Sequence, residues 1–311
     1  MAREKDGGRD MPTTGTRAKA HTNTVDGLIE QVYLEIMGNI NAKDPDYWNV
    51  PDKPSSESYN ECWMKSIPDD KKISQLSLPG THNSMARAGH IPWVWCQSLS
   101  LNTQMMLGVR FFDIRCRHFN NDLLIHHEAF YQNCNFTDVV SQMISYLKVN
   151  PSEVLLMRIR EEYQPTGNTR SFPETLKAGM SKFPAERFYL QDHIPIMSEC
   201  RGKIIVFSDI SDDSFGIYFG STAIEDTWRA GEDEKWVRVK AHLDKAQKSS
   251  GDILFITFSS FTTGIQAPRE IARKMNPKLH SYITGRKGRL GIVVSDYPGP
   301  KLICDIIKSN C

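Results

Sequence analysis

Apolar residues recur at mostly three- and four-residue steps through Val25, Leu28, Ile29, Val32, Ile36, Met37 and Ile40, the spacing of an amphipathic helix face. Before it, residues 1–24 are polar and rich in Thr, Arg and Gly, a composition predicted to stay disordered. After it, residues 44–58 (DPDYWNVPDKPSSES) read as turns linking the helix to the main domain. The helix face would serve either as a membrane or partner contact or as packing across the bottom of that domain. From Ile73 onward, short apolar runs alternate with helical periods. The runs Ile73–Leu78, Val109–Cys116, Leu123–His126, Val154–Arg160, Lys203–Ser208, Ile253–Phe258 and Leu290–Ser295 are predicted strands. Phe136–Val149, Pro173–Phe183, Glu232–Lys248, Pro268–Ile283 and Pro300–Ser309 are predicted helices. Strand and helix in alternation imply an α/β fold with a mainly parallel sheet, and this count suits a closed or nearly closed barrel. Only HFNND (118–122) joins the second and third strands, and residues 208–232 hold no clear helix, so the barrel should be irregular. The expected domains are an extension over 1–58 and a catalytic domain over 59–311.

Polar residues interrupt this pattern at informative places. His82, Arg115, His127, Glu162, Asp209 and Asp296 fall at or just past the carboxyl ends of predicted strands, which in a parallel barrel converge on the active-site face. Arg115 ends an apolar run, and a buried guanidinium needs an anionic partner, either Asp113 inside the barrel or a phosphate ligand. Two histidines and an arginine suit phosphoryl transfer to an internal hydroxyl: a base, an acid, and a fixed cation for the non-bridging oxygens. No metal is required in that scheme.

Composition narrows the classes. The 311 residues carry 38 Lys and Arg against 37 acids, a net charge of +1, without the basic excess of a nucleic-acid binder. The seven cysteines lack CxxC or Cys/His metal spacing, arguing against a disulfide framework or a cysteine-held metal. No run of 18 apolar residues occurs and the first residues lack a secretory apolar core. The expectation is a cytoplasmic monomer that meets membranes peripherally.

LSLPGTHNS (76–84), FFDIRCR, LLIHHE, NPSEVLLMRIREEY (150–163) and GIVVSDY (291–297) resemble the successive motifs of the phosphatidylinositol-specific phospholipase C X-domain family, bacterial type. The resemblance runs from about Ile73 to Ile307, with RGKIIVFSD and LFITFSSFTTG as weaker anchors. It implies an irregular TIM-type (β/α) barrel that cleaves phosphatidylinositol in membranes to diacylglycerol and a cyclic inositol phosphate, with no cofactor. By motif, His82 would be the general base, His127 the general acid with His126 as the alternative, and Arg115 the phosphate ligand. Asp296 would orient His82, unless it caps the helix near Pro300. Arg160 and Glu162 would bind inositol hydroxyls or form a solvated pair, and Asp226 and Trp228 would add a carboxylate and a ring beneath the sugar. Asn83 stands where bacterial members usually carry aspartate and resembles a metal ligand of calcium-dependent relatives. Arg115, however, occupies the place of a second calcium-binding acid there, so metal independence is expected. Asp209 stands where bacterial members place an arginine near the inositol. Trp93 and Trp95 would either meet the bilayer or roof the barrel. Two rivals remain: a phosphoinositide-binding X-domain protein with weak catalysis, and a glycerophosphodiester phosphodiesterase, whose metal-holding acid cluster this pattern lacks.

Overall fold

The computed structural model describes residues 42–87, 92–210 and 215–311; the predicted helix over 25–40 and Ile91 lie outside them. Eleven strands form one sheet: β1 (Ser77–Thr81), β2 (Phe111–Phe119), β3 (Asp122–His127), β4 (Phe130–Asn135), β5 (Leu155–Glu161), β6 (Phe188–Tyr189), β7 (Ile204–Asp209), β8 (Ile217–Tyr218), β9 (Ala223–Glu225), β10 (Phe255–Phe258) and β11 (Gly291–Ser295). Along the sheet the order is β6-β7-β5-β2-β1-β11-β10-β9, every neighbouring pair parallel. Strand β8 pairs only β7, and no ladder joins it to β9, so among the described residues this irregular TIM-type barrel stays open on that side. Among the described residues seven helices, α1 (Leu101–Leu107), α2 (Phe136–Val149), α3 (Phe172–Met180), α4 (Met197–Cys200), α5 (Glu232–Lys248), α6 (Pro268–Ile283) and α7 (Pro300–Lys308), accompany the strands. Strands β5, β7, β10 and β11 carry apolar runs because both sheet faces are covered: Leu156, Ile205, Ile256 and Ile292 pack inside, while Val206, Met157 and Val293 meet helices.

Two expectations need correction, and the irregularity expected from the short link between the second and third strands is present. The first strand is not Ile73–Leu78: Ile73–Gln75 forms a 3-10 turn and the strand runs on through Pro79 and Gly80 to Thr81. Proline is tolerated there because β1 is short and its partners use Pro79 as an acceptor, Arg110 N–H donating to Pro79 O at 2.9 Å. The third strand is antiparallel, folding back on β2 through Asn120 and Asn121, both with positive φ (51° and 58°). These are the angles of a type I′ hairpin turn, and so short a link cannot carry a parallel crossover. The expected linker to Ser58 belongs to the barrel unit, which begins at Asn41. Tyr47 is fully buried against Tyr297 and Ala272, and Trp48 N–H donates to Tyr297 O.

One glycine is obligatory for the sheet. Gly291 opens β11 with φ 72°, and a Cβ there would stand 2.5 Å from Phe255 O; no other residue lets β10 approach so closely.

Candidate functional site

The carboxyl ends of the parallel strands surround a cleft of about 460 Å³ whose walls include His82, Arg115, His127, Arg160, Glu162, Asp226, Trp228 and Asp296. Backbone strain marks this rim. Each of His82, His127, Glu162 and Asp296 is followed by a residue with positive φ: Asn83 (42°), Glu128 (49°), Tyr163 (63°) and Tyr297 (45°). The other described non-glycine residues of this kind are Asn120, Asn121 and Asn133, and asparagine adopts the left-handed region readily. Glutamate and tyrosine do not, so the fold holds about 1–3 kcal/mol of local strain at each such turn. The turn lets the preceding side chain face the cleft while the chain leaves it sharply.

His82 is held on both ring nitrogens. Its Nδ1 lies 2.8 Å from Asp296 Oδ1, and its Nε2 lies 2.7 Å from Arg115 Nη2. A guanidinium only donates, so Nε2 must carry the lone pair and Nδ1 the proton given to Asp296. The Asp296 carboxylate is thus committed to His82; α7 takes Gly299 as its N-cap instead. Gln97, which the sequence reading overlooked, fixes the backbone beneath: its Nε2 donates to His82 O (2.9 Å) and Ser295 O (3.1 Å).

Across the cleft, His127 Nδ1 donates to Val94 O at 2.9 Å, which leaves Nε2 available for proton exchange. Burial pushes its pKa below the usual histidine value, with the Val94 hydrogen bond working against it and Arg115 and His82 adding to it. His126 is buried outside the cleft, bonded to Glu128 O and packed on Tyr131. Its exclusion leaves His127 as the histidine opposite His82.

Arg115 takes Asp113, the intramolecular partner that its sequence context suggests. Nε and Nη2 donate to Asp113 Oδ2 at 3.1 and 3.0 Å, and Nη1 lies 3.7 Å from Glu162 Oε2 while the side chain remains open to the cleft. One layer deeper, Arg158 joins Asp113 (3.3 Å) to Asp209 (2.6 Å). Asp209 therefore neutralises Arg158 and does not line the cleft. Burial alone would raise the Asp113 pKa, but Arg115 and Arg158, helped by His82 and the Asn83 N–H, hold it far below the ordinary carboxylate range. Its folded value is depressed, so the stability it contributes is complete above its unfolded pKa of about 3.9 and is lost as pH falls through the folded value. Asp113→Asn should consequently lower the urea midpoint at pH 7 much more than at pH 2. Equal losses at both would contradict this assignment.

The remaining candidates divide. Glu162 Oε1 accepts from Glu128 N (2.9 Å), whereas Arg160 makes no hydrogen bond or ion pair with any described residue; the two are not paired to each other. Asp226 likewise has no partner, and its pKa is raised, by burial first, against the pull of His82 and Arg158. Trp228 is 55% exposed, with the Arg229 guanidinium 4.4 Å from its ring centroid. Trp93 is 54% exposed at the cleft edge. Trp95 is not: it packs half-buried on the Tyr47–Tyr297 cluster and belongs to the wall. Asn83 is also off the cleft, 1% exposed, with both amide atoms lacking hydrogen-bond partners.

Comparison with known proteins bears on this arrangement. The phosphatidylinositol-specific phospholipase C X-domain profile matches residues 76–209, the stretch that contains His82, Arg115, His127, Arg160 and Glu162. The 1-phosphatidylinositol phosphodiesterase of Listeria monocytogenes is 29% identical over 290 residues, covering 85% of this chain and 88% of that protein. The Staphylococcus aureus enzyme of the same name is 27% identical over 80% of this chain and 94% of its own. Solved structures of the phosphatidylinositol-specific phospholipases C from Listeria monocytogenes and Staphylococcus aureus superpose with TM-scores of 0.72 and 0.75. Each is 26% identical, and they cover 81% and 83% of this chain and 99% and 100% of theirs. The profile match, the shared barrel and the nearly complete coverage of these relatives agree, and residues 76–209 of this chain carry a phosphatidylinositol-specific phospholipase C X domain.

Proposed function

We propose that this chain cleaves phosphatidylinositol to diacylglycerol and inositol 1,2-cyclic phosphate, by histidine acid–base catalysis with Arg115 in the place of a metal. The observation that carries the reading is the pair of histidines that line one cleft beside a guanidinium, each with Nδ1 engaged by an acceptor and Nε2 left for proton transfer. His82 Nε2 takes the proton of the inositol 2-hydroxyl, whose oxygen attacks phosphorus. Asp296 stabilises the imidazolium that forms. His127, entering the step as the imidazolium with Nδ1–H held by Val94 O, gives its Nε2 proton to the diacylglycerol oxygen as the P–O bond breaks. Arg115 must first leave the His82 lone pair. The incoming phosphate draws it onto the non-bridging oxygens, where it stabilises the charge of the transition state.

Arg160 and Asp226, the unpartnered cation and carboxylate of the cleft, are the groups left to bind inositol hydroxyls, with Glu162 beside them and Trp228 as an apolar platform. Trp93 and Trp228, both more than half exposed, line the cleft at its surface, which suits contact with a lipid surface. Trp93→Ala is expected to weaken vesicle binding by about tenfold, the worth of one buried aromatic side chain, and to leave turnover of a short-chain soluble substrate unaffected. Equal losses on both substrates would count against a membrane role for Trp93.

The reaction itself is tested by incubating the purified chain with phosphatidylinositol vesicles, phosphatidylcholine vesicles, and an analogue methylated on the inositol 2-oxygen. Only the first should release water-soluble phosphate. Release from the methylated lipid would show that the 2-hydroxyl is not the nucleophile. Saturable binding without release would favour the alternative of a headgroup-binding protein.

A further inference from the structure

Behind His82, the cleft wall carries a thiol that the proton-transfer scheme does not use. Cys96 contributes to the cleft lining and is clamped on both sides by its backbone, its N–H donating to Ala86 O (2.9 Å) and its carbonyl accepting from Tyr297 N (3.1 Å). Its one hydrogen-bond contact is a long one, to His127 Nδ1 at 4.0 Å, whose proton already goes to Val94 O. The sulfur is therefore positioned but not strongly hydrogen-bonded. Cys96 Sγ, a ring nitrogen of His82 and a carboxylate oxygen of Asp296 all lie within 4.8 Å of one another, and they are the one such trio of potential metal donors among the described residues.

We propose that His82, Cys96 and Asp296 form an inhibitory binding site for a borderline-soft divalent cation of the Zn²⁺ type, with a cleft water as fourth ligand. One sulfur, one imidazole nitrogen and one carboxylate oxygen match the donor preferences of zinc and not those of calcium or magnesium, which take oxygen alone. Zinc bonds of about 2.0–2.3 Å bring tetrahedral donors to within about 3.5 Å of one another, so the trio has to contract by roughly 1 Å at its widest. The nitrogen beside Asp296 is Nδ1, and the metal would take the place of the proton now between them.

The charges and protons balance. Zn²⁺ with one thiolate and one carboxylate is neutral, one positive charge more than the metal-free trio of thiol, neutral imidazole and carboxylate, because the ion brings two charges and one proton leaves. Burial disfavours the Cys96 thiolate in the metal-free chain, and the thiol proton leaves to solvent only as the metal enters. The imidazole proton moves from Nδ1 to Nε2. This tautomer has no lone pair facing the cleft and presents N–H to the Arg115 guanidinium, which must withdraw. The base is thereby removed and its carboxylate partner occupied, so bound metal and turnover exclude each other. This consequence rests on the reading of His82 as the general base; the binding site itself does not.

Two readouts keep those apart. Cobalt(II) added to the chelator-treated full-length chain should produce the intense thiolate-to-metal charge-transfer absorption of a one-to-one complex, whether or not the chain turns over. Cys96→Ser and His82→Gln should abolish it, whereas Cys62→Ser, at an exposed cysteine, should retain it. In parallel, zinc should suppress phosphatidylinositol cleavage reversibly by EDTA, with its midpoint raised at least about tenfold in Cys96→Ser relative to that variant's own metal-free rate. Charge-transfer absorption that survives Cys96→Ser, or no such absorption in the unaltered chain, would overturn the site. Absorption lost as expected with zinc leaving turnover unchanged would overturn the inhibitory role.

Discussion

Replacing His127 with alanine should lower kcat/KM on phosphatidylinositol by about 10²–10⁴-fold, and most of that loss should vanish on an analogue whose leaving group is nitrophenolate. Diacylglycerol leaves as a strongly basic alkoxide unless it is protonated in the transition state; nitrophenolate needs no proton. His82→Ala should cost a similar factor on both substrates, because the inositol hydroxyl is the nucleophile in each and still needs its proton removed. The contrast depends on the geometry that separates the two rings. His127 Nδ1 is fixed to Val94 O with Nε2 open, whereas His82 Nε2 carries the lone pair and is backed by Asp296. If both variants were rescued by the activated leaving group, or neither, the division of roles between acid and base would be wrong.

The second large effect is expected far from the chemistry, at the opposite end of the barrel. Arg110 and Glu153, both fully buried, meet through Arg110 Nη2 and Glu153 Oε2 at 2.6 Å, just before β2 and β5 begin. Arg110 also donates to Met105 O, Val109 O and Glu61 O, its guanidinium lies between the Trp63 and Tyr146 rings, and Glu153 accepts from Met64 N. Removing the carboxylate strands a desolvated guanidinium, and breaking such a pair costs about 3–5 kcal/mol. Glu153→Ala should therefore lower the thermal midpoint by roughly 10 °C, at about 2–4 °C per kcal/mol for a domain of this size. A shift of less than about 2 °C would mean that water reaches the site and solvates Arg110. Arg110→Met with Glu153→Leu should recover much of the loss, since matched apolar replacements remove the buried charges together.

Neither Arg110 nor Glu153 was visible in the sequence, because nothing in their neighbourhoods distinguishes a buried charge from a solvated one. Much else was legible for physical reasons. Doubly covered strands such as β7 and β11 read as apolar runs and β5 opens as one, and the polar residues at or past the ends of β5 and β11, Arg160, Glu162 and Asp296, project from the face where parallel strands converge. Legibility failed where tertiary contacts override local preference. The first strand is predicted to end at Leu78, before Pro79 and Gly80, yet β1 continues through both to Thr81 because β2 and β11 pair with it on both sides. Trp93 and Trp95 look alike in sequence, and only the packing of Trp95 on Tyr297 separates wall from rim. Asp209 reads as a cleft residue, but its alignment with Arg160 across β5 and β7 leaves it beside Arg158. Asn83 stays unexplained: its buried amide has no partner, and nothing in the surrounding packing accounts for that.

The account's central claim is that two histidines and Arg115 perform phosphoryl transfer to an internal hydroxyl without a metal. Phosphorus-31 spectra of the products released from phosphatidylinositol vesicles in EDTA-containing buffer test it most directly. The expected first product is the five-membered cyclic phosphodiester, formed at a rate that EDTA does not reduce and abolished by His82→Ala. Direct formation of an acyclic inositol phosphate, or turnover that stops when EDTA is added and returns with calcium, would contradict it.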